Sequence, residues 1–259
     1  MSKLVTIPTC QNPFVIILNK KVYSYPAGET LEVPKEVAEV IERHDLSHWK
    51  PEYIEDNNDN SAKYIEAEHQ TVDLPNATAI KKYAFYQDSI LENISMPKVT
   101  AIEQRAFEQC RNLALTALPD GLTFVGHSAF CDCTNVAISA MPKALATIEE
   151  RGFRYCAKST FGELPSGLEY IGANAFYGCS AMKISSIPAR VAEIGDQAFY
   201  GCKAITSITF RGKPTVISTS AFLNCTNLKD IYVPWAEGAV ANAPWGATNA
   251  TIHYNHTGG

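Results

Sequence analysis

The sequence predicts an α/β repeat fold: a solenoid of about seven coils, each 22–23 residues long, with a parallel sheet on one face and a small β-β-β-α module before it. Three observations predict it. The first is a ladder of phenylalanines, Phe85, Phe107, Phe130, Phe153, Phe176, Phe199 and Phe222, whose first step is 22 residues and whose other steps are 23. The second is a set of columns around each Phe. Ile or Val stands five before it (Ile80 to Ile217) and Ala one before it, except for Gly152. Three after it stand Cys110, Cys133, Cys156, Cys179, Cys202 and Cys225, with Asp88 in the first copy. The third is a short apolar run that starts six residues after the Phe and ends at Pro twelve after it, except at Arg211. A fixed period of this length means stacked supersecondary units.

Within a copy, positions −5, −1, 0 and +3 fall at helical spacing and predict a short helical turn with Ile, Ala, Phe and Cys on one side. From +6 the pattern becomes extended, as in Leu113-Ala-Leu115-Thr-Ala-Leu118-Pro119, and predicts one strand per copy. Pro ends it because it cannot donate to a ladder. Two variants of the run occur: apolar at +6, +8 and +11 in four copies, and at +6, +9 and +11 in copies one, six and seven. Which residues face outward in each variant stays open. One turn and one strand cannot bury their own apolar side, so neighbours must stack, Phe over Phe and Cys over Cys.

Taken in order, residues 1–50 carry no repeat. Phe14–Leu18, Val22–Tyr25 and Glu29–Val33 predict three short strands, and Pro34 opens a helix running to about Ser47 with Val37, Val40 and Ile41 on one face. So thin a module gains from docking or from forming a homo-oligomer. Residues 51–63 are a polar linker. Asp56 and Asp59 lack the Gly and Glu of a calcium loop. The solenoid spans 64–234 and begins with a half-copy, Val72-Asp-Leu74-Pro75, that shields the first Phe layer. Residues 235–259 form a C-terminal cap in which Trp235 and Trp245 cover the last coil and Thr251-Ile-His-Tyr254 makes a final strand.

A net charge of −5 and the lack of a Lys/Arg cluster argue against nucleic acid as a partner. No apolar run approaches the ~18–20 residues of a membrane helix, so no membrane insertion is expected, and the first residues lack a signal-peptide core. The ladder cysteines are expected free and buried; 23-residue spacing does not build a tetrahedral zinc site. No catalytic, cofactor or metal constellation emerges. His44 and His48 lie four apart without a supporting ligand, and Glu103, His127, Glu149 and Glu150 fall on the solvent side of the turns. The candidate ligand face is therefore the strand side, with Thr116, Ser139, Thr160, Lys183, Ser185, Thr206, Thr209 and Tyr232 between the apolar positions.

Two resemblances extend this reading. The pattern in Ile171-Gly-Ala-Asn-Ala-Phe-Tyr-Gly-Cys179, repeated over about residues 72–254, resembles the leucine-rich repeats of the BspA-like class, which implies a leucine-rich-repeat solenoid with a binding role. Residues 12–42 resemble the short N-terminal modules of bacteriophage and prophage minor structural proteins, which implies attachment to a virion. Together they imply a non-enzymatic phage virion accessory protein (a head or tail fibre, or a decoration), assembled in the bacterial cytoplasm. Residues 1–50 would bind a virion structural protein, and the solenoid a host-surface protein or glycan. The alternatives are a bacterial surface adhesin and an intracellular protein–protein scaffold.

Overall fold

The computed structural model describes residues 70–256, together with the backbone of five earlier strands. Four of these lie in the N-terminal module: β1 (Leu4–Ile7), β2 (Phe14–Leu18), β3 (Lys21–Tyr25) and β4 (Leu31–Pro34). β2 and β3 form the expected antiparallel pair, with Leu18 opposite Lys21. β4 pairs with β1, a strand the sequence reading did not foresee although Leu4-Val-Thr-Ile7 is rich in β-formers. The helix expected after Pro34 and the linker up to residue 62 lie outside the described residues.

The solenoid is present, and its main ladder is a seven-stranded parallel sheet with one two-residue strand per coil. These strands are β7 (Ala79–Ile80), β9 (Ala101–Ile102), β10 (Phe124–Val125), β11 (Thr147–Ile148), β12 (Tyr170–Ile171), β14 (Glu193–Ile194) and β16 (Val216–Ile217). This corrects the helical turn. The Ile or Val at −5 is the inward residue of a strand, and no helix occurs among the described residues. The chain around each Phe is instead a run of hydrogen-bonded turns, such as Ala106 N–H to Glu103 O and Cys110 N–H to Phe107 O. Left-handed residues at −2 and +2, with φ between 52° and 73°, interrupt any right-handed helix. They free alternate amides to reach the next coil: Arg105 N–H donates to His127 O, Phe107 N–H to Ala129 O, and Gln109 N–H to Cys131 O, each at 2.7–2.8 Å. Helical periodicity failed here for a steric reason. Packed helices need about 8–10 Å between axes, whereas successive Phe rings stack 5.1–5.8 Å apart and within 11° of parallel.

The apolar run after each Phe forms strands only towards the two ends. At the N-terminal end β5 (Lys63–Tyr64), β6 (Gln70–Asp73) and β8 (Leu91–Ser95) make a three-stranded sheet, with β6 as the expected half-copy. At the other end β13 (Ser186–Ile187), β15 (Ser207–Phe210), β17 (Asp230–Tyr232) and β18 (Thr251–His253) make a four-stranded parallel sheet. Copies two, three and four have no strand in this run, so one strand per copy is corrected as well. The two sequence variants account for most of the split; copy five, which shares the variant of copies two to four, has only the two-residue β13. In copies one, six and seven the three-residue step comes early, so +9 faces in, +10 out and +11 in; Ile208 and Phe210 are buried and Thr209 lies between them. In the other copies +6 and +8 face in, and the three-residue step falls where the ladder would have to alternate.

The Phe and Cys columns form one core with the Ile, Leu and Ala columns. Each ladder thiol donates to the carbonyl of the Phe one coil earlier: Cys110 to Phe85, Cys133 to Phe107, Cys156 to Phe130, Cys179 to Phe153, Cys202 to Phe176 and Cys225 to Phe199, with S···O distances of 2.8–3.2 Å. The first copy has no earlier Phe, and its Asp88 instead accepts the amides of Ile90 and Leu91. All seven cysteines among the described residues are free, as expected. Copy four departs from the repeat. Ser159 replaces the apolar +6 residue, donating to Val136 O and accepting from Ile138 N–H, while Phe161 fills the space edge-on to Phe153 and Phe176.

The cap is a half-built eighth coil. Trp245 stands 23 residues after Phe222, and its carbonyl accepts the Phe222 amide at 2.9 Å, as the −1 carbonyl does in earlier coils. Trp235 and Trp245 are both buried and pack around Phe210.

Three outcomes follow. Truncating one central ring, Phe176→Ala, is expected to cost about 3–5 kcal/mol, measured as a drop in urea midpoint. Burial pushes the Cys131 and Cys225 thiols up to about 12 and those of Cys110, Cys156, Cys179 and Cys202 well above their ordinary range. A folded-state pKa above the unfolded value gives stability that is complete below the usual thiol value of about 8.5 and is lost as pH rises beyond it. The melting temperature should therefore fall as pH is raised from about 8.5 towards 12, and less steeply in a Cys202→Ala/Cys225→Ala variant. Iodoacetamide at pH 8 should leave these six thiols unlabelled until the chain is unfolded.

Candidate functional site

The expected ligand residues are not brought together as one face. Thr116 and Ser139 are exposed but lie on the strandless central coils, and Thr160 is half-buried beside them. Lys183, Ser185, Thr206, Thr209 and Tyr232 gather at the C-terminal end, on or beside the four-stranded sheet. Ser185 is already engaged: its amide and hydroxyl both donate to Glu163 Oε1, and Ser186 Oγ donates to Glu163 Oε2.

Strand register places the outward residues of this sheet in rows. One row runs Ser186, Thr209, Tyr232, His253, and the other Ser207, Asp230, Thr251. They face outward because Ile187, Ile208, Phe210 and Ile231 between them are buried in the core. Lys183, Thr206 and Lys229 are exposed just before these strands. At the C-terminal end, His253 Nε2 lies 2.8 Å from Asp230 Oδ1, and its ring stacks on Tyr232 at 4.5 Å and 13°. The His256 ring lies 4.8 Å from Tyr232, inclined by 49°. The result is a shallow hydroxyl-rich floor ending in a three-ring cluster. The sequence reading did not place His253 or His256 among the ligand residues. The signal was present, because a final strand at Thr251–Tyr254 aligned on Ile231 sets His253 beside Tyr232.

The turn edge offers less. His127 donates its amide to Glu149 Oε2, Lys81 pairs with Glu103 at 3.1 Å, and Arg151 pairs with Glu150 at 3.4 Å. Burial raises the pKa of Glu108, against the opposing charge of Arg105, whose Nε lies 3.3 Å from its carboxylate. Arg154 lies over Tyr155 at 4.5 Å and Tyr177 at 5.2 Å, and Tyr177 stacks on Tyr200 at 4.3 Å. Within and between coils, these contacts spend the polar groups on one another. No group of metal-ligating side chains occurs among the described residues, and His44 and His48 lie outside them. No helix among the described residues is long and apolar enough to cross a membrane.

A family model described as the BspA type leucine rich repeat region matches residues 61–172 and 147–237, together well over half of the chain. The chain belongs to the BspA-type leucine-rich-repeat family. No curated protein matches it. Among solved structures, a leucine-rich repeat protein from Bacteroides ovatus shares 20% identity over 71% of this chain, with a TM-score of 0.38; this BspA-type chain covers 60% of that protein. The leucine rich repeat protein of T. pallidum shares 23% identity over 68% of this chain and 85% of its own, with a TM-score of 0.46. A leucine rich cell surface protein from Faecalibacterium prausnitzii shares 18% identity over 68% and 69%, with a TM-score of 0.45.

Proposed function

We propose that this chain is a non-catalytic binding protein whose solenoid presents the outer face of β13, β15, β17 and β18 to a protein or glycan on a cell surface. The observation that carries this reading is the register of the C-terminal sheet. It sets Thr209, Tyr232 and His253 side by side, outward, over a core that fixes their spacing. A rigid, shallow face of hydroxyls and ring edges binds through many weak contacts, and display in several copies multiplies such contacts. The central coils act as a spacer, with small outward residues such as Ala114, Thr116 and Ser139.

The virion placement is carried by the resemblance of residues 12–42 alone, and the family match begins only at residue 61. In this reading the N-terminal module is attached to a phage particle and the solenoid reaches the host. Mass spectrometry of particles purified after induction is expected to find the chain at stoichiometric copy number, and to lose it when residues 1–50 are deleted. Absence from particles leaves a bacterial surface adhesin or an intracellular scaffold.

The face itself is tested by adsorption of the full chain to intact bacterial and epithelial cells. Tyr232→Ala is expected to weaken adsorption severalfold with an unchanged circular dichroism spectrum. Thr116→Arg on a central coil is expected to change nothing, and the opposite ranking would move the site.

A further inference from the structure

We infer that the C-terminal sheet face takes an acidic oligosaccharide, a reading that rests on the proposed binding role of that face. The repeat itself supplies the first indication. Position +12 is Pro in six copies and Arg211 in copy six, where β15 carries Ser207 and Thr209 outward and Ile208 and Phe210 inward. Alternation continues to Arg211, which is exposed at the end of this outward row. Its backbone is pinned: the Arg211 amide donates to Ile187 O at 2.9 Å, and a Cβ on Gly212 would lie 2.3 Å from Ala189 O. Breaking a repeat column to put a cation at the end of a hydroxyl-bearing row is the kind of exception that marks a functional position.

Two further cations frame the same face. Lys183 and Lys229 are exposed, two coils and so roughly 10 Å apart at the spacing of paired strands. Neither they nor Arg211 form an ion pair among the described residues. The acids nearby are already engaged, Asp230 with His253 and Glu163 with Ser185 and Ser186. The face therefore offers net positive charge on a chain whose overall charge is −5.

What lies between the cations favours a sugar over a peptide. Ser207, Thr209 and Thr251 donate to and accept from ligand hydroxyls, and the Tyr232–His253–His256 rings offer an apolar end to a pyranose. A peptide partner would need apolar pockets for its side chains. The exposed large hydrophobics, Val216 and Leu223, lie elsewhere, on the main ladder and on the turn edge.

Titration of the full chain with a heparin-derived hexasaccharide, an oligogalacturonate hexamer, neutral maltohexaose and a poly-glutamate peptide tests the inference. At least one acidic saccharide should bind about tenfold or more tightly than maltohexaose, and Arg211→Gln should lose about tenfold of that affinity. Lys183→Gln/Lys229→Gln should also weaken binding and flatten its dependence on salt. All three positions are exposed, so unchanged melting temperatures will show that the fold is intact. Equal affinity for the neutral chain, no effect of Arg211→Gln, or tighter binding of poly-glutamate overturns the inference. Cell adsorption that depends on Tyr232 but is not competed by either acidic saccharide overturns the sugar and leaves the binding role standing. Loss of neither saccharide binding nor adsorption in Tyr232→Ala moves both away from this face.

Discussion

The coils stack at the spacing of a backbone hydrogen bond, and in the first five repeats that spacing is enforced at three places. The two-residue strands set it on one side, and the amides at −2, 0 and +2 set it again around the turn. The phenylalanine rings, parallel and just over 5 Å apart, fill the space between with matched layers. A residue is admitted to the core only if its copy in the next coil can sit directly above it. Hence the columns hold Phe, Ile, small Ala, and a sulfur whose proton reaches back one coil.

That constraint explains how much was legible. The period, the core columns and the free thiols follow from residues that must superpose on themselves, and such residues announce themselves by recurring; the two tryptophan plugs show instead as large rings just past the last copy. The fine path of the chain does not. Ile at −5 and Ala at −1 stand at helical spacing, yet Arg105, Ser128, Arg151 and Asn174 adopt left-handed conformations between them. No side chain there is a glycine that would have signalled it, and only the narrow spacing between layers forbids the helix. The strand run was likewise misread in the central coils, where moving one apolar residue from +9 to +8 leaves nothing for a ladder to alternate on.

The candidate face was legible by half. Thr209 and Tyr232 were visible as residues between the apolar positions of a strand run, but Asp230 and His253 lie in different coils, and a single pass along the chain has no view across coils. Register supplies that view, and it turns a tail that looked like solvent-exposed remainder into one wall of the face. Thr116 and Ser139 were equally plausible on composition and fall instead on the coils where the sheet is interrupted.

The eighth coil is only begun. Trp245 offers a carbonyl to Phe222 and a bulky ring to the core, β18 closes one side, and the ladder strand β16 is left as the last of its row. Such a plug touches only the last coils, Phe222 of the seventh and Phe210 of the sixth. In an array whose members touch only the next in line, whole units can be duplicated or deleted from the middle while both ends continue to fit. Length then becomes adjustable in steps of one coil, and the distance from the first coil to the last can change while the packing at both ends is kept.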